Sequence, residues 1–310
     1  MSNYYRYPTI LKNHDKYAVV LGIHHCHRGD TGLIELPEKS IANSKFKLAK
    51  VSPKILLTHS VHGYAIHNFA ICPDKMNKFY YGIGGLNRNQ SPYNDGKNGS
   101  GITLFKSKKL NGPWQKEKTL VNIKNVPKNP TIGIERMCPE FDSNICFIYS
   151  QLLKSYLIFC RANIAKGCRG VQMLKTSDFK SLSSFNLLQV DTFVKPTDNY
   201  YMFKCVEILQ AKLFFALVPY TNAGKNPSEF YIKKLISKDA IHWIDCGKYC
   251  DAKMSDDNKH LDTHIGEILI SNGNLEIILL LNCTGKNARL KRHVHTLSSI
   301  DFVLLNSSCN

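Results

Sequence analysis

Long apolar runs are missing from this chain of 310 residues. The longest, Leu275-Glu276-Ile277-Ile278-Leu279-Leu280-Leu281, carries a glutamate and falls far short of the roughly 20 residues that a bilayer crossing needs. No transmembrane segment is expected. The opening Met1-Ser2-Asn3-Tyr4-Tyr5-Arg6-Tyr7-Pro8 is polar and aromatic and lacks the apolar stretch of an export signal, so the expected location is cytoplasmic. Apolar residues rarely keep helical spacing for three turns. No stretch rich in Pro, Gly or Ser marks a linker, and residues 1–310 read as one domain.

Paired cysteine frameworks are missing too. Eleven cysteines are scattered along the chain, and without an export signal they read as free, buried thiols. Cys246 and Cys250 have no second pair to complete a metal site. In His24-His25-Cys26-His27 a strand would put at most two ligands on one face, so zinc would need others from distant sequence. Gly82-Ile83-Gly84-Gly85 lacks the spacing of a dinucleotide fingerprint. No metal and no cofactor are expected.

Acidic residues are few. Against 41 Lys and Arg stand 24 Asp and Glu, a net charge of +17. Such a surface concentrates anionic partners. Yet Lys106-Ser107-Lys108-Lys109 and Arg289-Leu290-Lys291-Arg292 are the densest basic clusters, and no nucleic-acid recognition motif accompanies them. The charge leaves an acidic or phosphorylated ligand open and points to no specific nucleic acid.

What is present is strand. Short segments rich in Ile, Val, Phe and Tyr alternate with Gly, Pro, Asn, Asp and Ser. Ser271-Asn272-Gly273-Asn274 joins two of them as a hairpin turn. A weak phrase also recurs: a strand-like run, a serine, a few polar residues, then an aromatic. It runs from Ser107 to Trp114, from Thr176-Ser177 to Phe185 and from Ser237 to Trp243, with fainter copies from Leu33 to Phe46 and from Thr296 to Phe302. A unit recurring at fixed period is the mark of a repeat architecture. The expected fold is all-β, a five-bladed β-propeller with a central funnel.

The inner strands of such a ring are expected around Tyr17–His24, Ala65–Ile71, Glu140–Phe147, Phe203–Leu209 and Thr263–Ile270. Each carries polar residues that cost free energy unless they face a wet cavity: His24 and His25, His67 and Asn68, Glu140 and Asp142, Lys204 and Glu207, His264 and Glu267.

Several phrases go further: His67-Asn68-Phe69, Gly84-Gly85, Phe141-Asp142-Ser143, Arg161-Ala162-Asn163 with Gly167, Arg169 and Gln172, and Gly266-Glu267. Over about residues 60–305 the chain resembles the five-bladed propeller superfamily of arabinanases, invertases, levansucrases and mannoside phosphorylases. It looks closest to a branch found in viruses and in bacterial polysaccharide loci. That resemblance implies a carbohydrate-active enzyme, glycoside hydrolase-like, acting on an oligosaccharide or polysaccharide.

Glycosidic cleavage needs a proton for the leaving oxygen and a nucleophile or activated water opposite it, commonly from two carboxylates. The catalytic candidates are Asp142, Glu207 and Glu267. Glu140 shares a strand face with Asp142 by the two-residue period. It joins His67, Asn68, Arg161, Asn163, Arg169 and Gln172 as a substrate-binding candidate. Arg suits carboxylate or phosphate, and Asn or Gln suits hydroxyls. The well-studied hydrolases resemble one another in placing an acidic residue on the inner strand of each of the first three blades. Here the first motif offers His67 and Asn68 but no carboxylate, leaving Asp30 or Asp74 as substitutes. A glycosyltransferase or phosphorylase using a phosphate-bearing donor is the alternative. A glycan-binding propeller without turnover is another, and a structural protein using its basic face a third.

Overall fold

The computed structural model describes residues 4–25, 28–42, 47–48, 51–76, 78–85, 101–122, 144–165, 168–193, 198–222, 230–253, 263–282 and 287–297. They form five antiparallel sheets in chain order. Blade 1 holds β1 (Tyr4–Asn13), β2 (Lys16–His25), β3 (Arg28–Pro37) and β4 (Lys54–Leu57). Blade 2 holds β5 (Ala70–Pro73), β6 (Tyr80–Gly84), β7 (Gly101–Ser107) and β8 (Gln115–Asn122). In blade 3 are β9 (Cys146–Ser150), β10 (Ser155–Ala165), β11 (Cys168–Thr176) and the short β12 (Asn186–Leu187).

Blade 4 is edged by β13 (Gln189–Val190), which runs parallel to the outermost strand, and by β14 (Asp198–Tyr200). Its four main strands are β15 (Lys204–Ile208), β16 (Leu213–Asn222), β17 (Phe230–Ser237) and β18 (His242–Asp251). Blade 5 has β19 (Thr263–Ser271), β20 (Asn274–Leu281) and β21 (Arg289–Thr296).

The core is divided the same way. Five separate apolar clusters fill the five joints between neighbouring blades. One of them packs Ile10, Tyr17 and Val19 of blade 1 on Ile278 and Leu280 of blade 5, so the ring closes. Leu48 joins that cluster, its N–H donates to Ala288 O at 2.8 Å, and Lys47 bridges to Arg289 of β21. Blade 5 therefore meets a piece of blade 1 where a fourth strand would lie. Buried Glu276 locks the same joint: it accepts from Lys12 Nζ at 2.7 Å, from Arg292 Nε at 3.0 Å and from the Tyr17 hydroxyl. Arg292 also reaches Glu38 of helix α1 (Glu38–Ala42) at 2.7 Å.

The recurring serine-to-aromatic phrase is the turn between the third and fourth strands of a blade. Ser107 Oγ caps Lys109 N, Thr176 Oγ1 caps Phe179 N, and Ser237 Oγ caps Ala240 N. Short hydroxyl side chains make such local bonds readily. Trp114 and Trp243 then donate their indole N–H to Leu110 O and Ala240 O and pack into the joints. In blade 3 the capping hydroxyl is Thr176. The fainter copies end at Phe46 and Phe302, outside the described residues.

One expected inner strand is corrected. Blade 1 uses β1 against the channel, and Tyr17–His24 falls in the second strand, hydrogen-bonded on both sides. Tyr17, Val19, Val20 and Leu21 are all buried, the near-continuous apolar run of a strand covered on both faces. A strand that borders the channel can afford Thr9 in place of a third valine. His24 and His25 thus sit away from the expected inner position, and the Cys26 and His27 positions lie outside the described residues. A second shift is smaller. The inner strand of blade 2 begins at Ala70, after a 3₁₀ turn over Gly63–Ile66, so His67 and Asn68 precede it.

Candidate functional site at the channel mouth

All five inner strands run the same way. Their C-terminal ends lead into the short turns at 14–15, 74–79, 151–154, 209–212 and 272–273, and their N-terminal ends therefore share the opposite mouth. One residue from each blade stands near that end: Tyr7 at the register shift in the first half of β1, Asn68, Asn144 and Tyr201 just before β5, β9 and β15, and His264 at the start of β19.

Local backbone explains two of them. Pro8 cannot donate to the ladder, and the β1–β2 register shifts between Arg6 and Thr9. Tyr7 is held there at φ 51°, a conformation a bulky residue keeps only under constraint. The kink stacks its ring on His264 of blade 5, centroids 5.6 Å apart and planes 26° apart. Asn68 also has positive φ, 56°, which asparagine tolerates better than most residues. Behind it Phe69 packs on Gly82, where any added Cβ would lie 2.1 Å from the ring.

The mouth continues into blades 4 and 3. Tyr201 stands 6.3 Å from His264, ring to ring, and the Arg169 guanidinium lies over the other aromatic, 5.6 Å from the Tyr201 centroid. Arg169 comes from the β10–β11 hairpin, in which Asn163 pairs with Arg169 and Arg161 with Val171. A cation over a tyrosine face is attracted by the ring quadrupole. The result is a platform of Tyr7, His264, Tyr201 and Arg169 drawn from four blades. Asn144, 1% exposed at the start of β9, bonds to the protein through neither amide atom.

The remaining expected residues are placed as follows. Gln172 is buried and donates Nε2–H to Arg161 O at 2.9 Å, tying the hairpin together from inside. Arg161 is buried beside it. Glu207 lies at the far end of β15, where it accepts from Ser150 Oγ at 2.5 Å, Gln151 N at 2.8 Å and Leu152 N at 3.0 Å. It braces the β9–β10 turn of the neighbouring blade. Asp74 does the same for its own blade, accepting from Lys78 N and Phe79 N. Asp30 receives the N–H of His59 at 2.8 Å. Glu140 and Asp142 lie outside the described residues, as does the side chain of Asn163.

Glu267 occupies the channel wall between the two ends. Its Oε2 is 3.1 Å from Nζ of Lys204, which is 1% exposed, and 3.4 Å from Ile10 N of blade 1. This pair, with Cys146 and Cys205 beside it, lines a cavity of about 360 Å³ that reaches Glu207 at the turn end. The two sulfurs are 3.8 Å apart and both thiols are free. Burial pushes the Cys205 thiol well up, aided by Cys146, so Cys205 is a neutral packing group. Among the described residues no three His, Cys, Asp or Glu side chains gather around a point where an ion could sit.

Sequence reading missed Tyr7 and Tyr201, and it passed over Asp198. This buried carboxylate on β14 accepts from the Tyr220 hydroxyl at 2.9 Å. The available signal was an aromatic or aromatic pair just before an inner strand, as in Tyr5-Arg6-Tyr7 and Tyr200-Tyr201.

No protein-family model matches the chain, and no curated protein matches its sequence. Solved structures do match. An N-acetylgalactosamine deacetylase from F. plautii, seen with blood group B trisaccharide, covers 99% of this chain over 93% of its own, at 12% identity and TM-score 0.57. The α-L-arabinanase of Penicillium chrysogenum with arabinobiose covers 95% and 94%, at 10% identity and TM-score 0.54. A thermostable family-43 glycoside hydrolase covers 94% and 90%, at 12% identity and TM-score 0.53.

The fold is the arabinanase-type five-bladed β-propeller. Identities near one in ten carry the architecture and no residue roles.

Proposed function

We propose that this propeller is a carbohydrate-active, glycoside hydrolase-like protein whose substrate site is the channel mouth. The observation that carries the reading is the Tyr7–His264–Tyr201–Arg169 platform, which joins flat rings to a cation contributed by four blades. Few precisely set polar groups among apolar and aromatic walls are the usual make-up of a small-ligand site. Asn144 adds an amide able to donate to one sugar hydroxyl and accept from another. Support also comes from the family-43 glycoside hydrolase and the arabinanase, which share the whole architecture. In this reading Asp142, two residues before Asn144, supplies acid–base work. Arg161 and Arg169 make the mouth tolerant of carboxylate- or phosphate-bearing sugars.

A second reading, glycan binding without turnover, is favoured by one observation. Both described carboxylates expected to be catalytic are engaged elsewhere, Glu207 in a turn and Glu267 with Lys204. A panel of neutral and acidic oligosaccharides, with and without phosphate and nucleotide sugars, tests both. Hydrolysis lost in Asp142→Asn with binding kept supports the enzyme. Saturable binding and no turnover under any condition supports the second reading. Absence of binding to any glycan overturns the site altogether.

A further inference from the structure

Blades 4 and 5 also meet on their outer strands, at a cluster the channel does not use. His293 and His295 are two residues apart on β21, so their side chains leave the same face. Arg292, between His293 and Lys291, faces the other way, toward Glu276 and Glu38. Opposite the histidines stands Tyr249 of β18. Its hydroxyl lies 2.6 Å from His293 Nδ1 and 3.2 Å from His295 Nε2.

The register of blade 4 shows how the phenol reaches that position. Ile232 pairs with Cys250 and Lys233 with Lys248, leaving Tyr249 as the extra residue of a bulge. Bulges re-aim a side chain that a regular ladder would point elsewhere.

We propose that Tyr249, His293 and His295 form a binding site for a borderline divalent transition metal of the zinc or copper class, clamping blade 4 to blade 5. Imidazole nitrogens suit such ions, and a phenol oxygen is a compatible third donor. Ligands around a tetrahedral ion with bonds of about 2.0 Å stand about 3.3 Å apart. The Tyr249–His295 separation of 3.2 Å already matches, and the Tyr249–His293 separation of 2.6 Å would have to open by about 0.7 Å to admit the ion. One proton now lies between the phenol and its acceptor imidazole. On binding, the metal takes the place of the protons shared among the phenol oxygen and the two facing ring nitrogens; the phenol proton passes to solvent, a ring proton on a facing nitrogen moves to that ring's other nitrogen, and water fills the remaining position.

The full chain, stripped with a chelator, is titrated calorimetrically with zinc chloride and separately with copper(II) chloride. One equivalent should bind and raise the melting temperature. His293→Ala and His295→Gln should each weaken binding at least tenfold. Tyr249→Phe should remove the visible phenolate-to-copper charge-transfer band. Cys246→Ser with Cys250→Ser should leave binding unchanged. These edge-strand histidines are half-buried, so melting of the metal-free variants checks that both still fold. Absence of saturable binding by the wild type overturns the proposal. So does equal binding by the histidine variants, or loss of binding in the cysteine variant.

Discussion

At the end of the channel where the inner strands finish, polar side chains serve nearby backbone. Asp74 holds its own hairpin, Glu207 holds the next blade's, and Asn272 and Gly273 take the positive φ values their tight turn requires. At the opposite end, side chains meet one another across blades, with Tyr7 on His264 and Arg169 over Tyr201. A carboxylate whose oxygens already accept from turn N–H groups has little hydrogen-bonding capacity left for a ligand. Polar groups that meet ring to ring or ring to cation across blades leave their faces to the channel mouth instead of to a turn backbone. The Lys204–Glu267 pair separates the two regimes.

The largest effect is expected at that divide. Lys204→Ala leaves a buried carboxylate unpaired and should cost about 3–5 kcal/mol in denaturant unfolding, while Lys204→Met with Glu267→Leu should recover most of it. A single-variant loss under about 1 kcal/mol would mean water already reaches the pair.

Next comes the joint between blades 5 and 1. Burial opposes ionisation of Glu276, but hydrogen bonds from Arg292, Lys12 and Tyr17 outweigh it and hold its pKa below the usual 4.5. A carboxylate depressed on folding stabilises fully above its unfolded pKa, and that contribution disappears as pH falls through the folded value. Melting temperature should therefore drop below roughly pH 4.5 in the wild type. Glu276→Gln should start lower and show a shallower acid slope.

Glu207→Gln sharpens the contrast between the ends. It should cost about 1–3 kcal/mol through the weakened turn, with glycan turnover or binding preserved. If turnover vanished while melting stayed unchanged, the turn end would be the chemical one. The smallest effect on stability belongs to Arg169→Ala, a loss under about 1 kcal/mol for a partly exposed cation–π contact, yet glycan affinity should fall by about tenfold through loss of a charge-assisted hydrogen bond to the sugar. Unchanged affinity would remove the mouth from consideration.

The ring was legible in the sequence because its turns repeat. Ser107, Thr176 and Ser237 make the same local cap, and local bonds leave local patterns. The Asn272-Gly273 hairpin was legible for the same reason. The inner strand of blade 1 was not, because Tyr17–His24 is the more apolar segment and apolarity marks burial, not position along the blade radius. Glu207 and Glu267 look alike as acidic residues in apolar strands. Only the partner, the turn after β9 in blade 3 or a lysine one blade away, tells them apart. The platform was invisible for a related reason: Tyr7 and His264 are 257 residues apart, and nothing near either one encodes their meeting.

Among the described residues the last blade has three strands, and this has a consequence for how the molecule is made. Its open edge is completed by Lys47 and Leu48, which must wait for Ala288 and Arg289 to leave the ribosome. Contacts of such separation carry a heavy loop-closure cost and slow folding. A nascent chain would hold four finished sheets around an unsealed gap, and its apolar faces there would be the natural target of a chaperone until the final hairpin arrives.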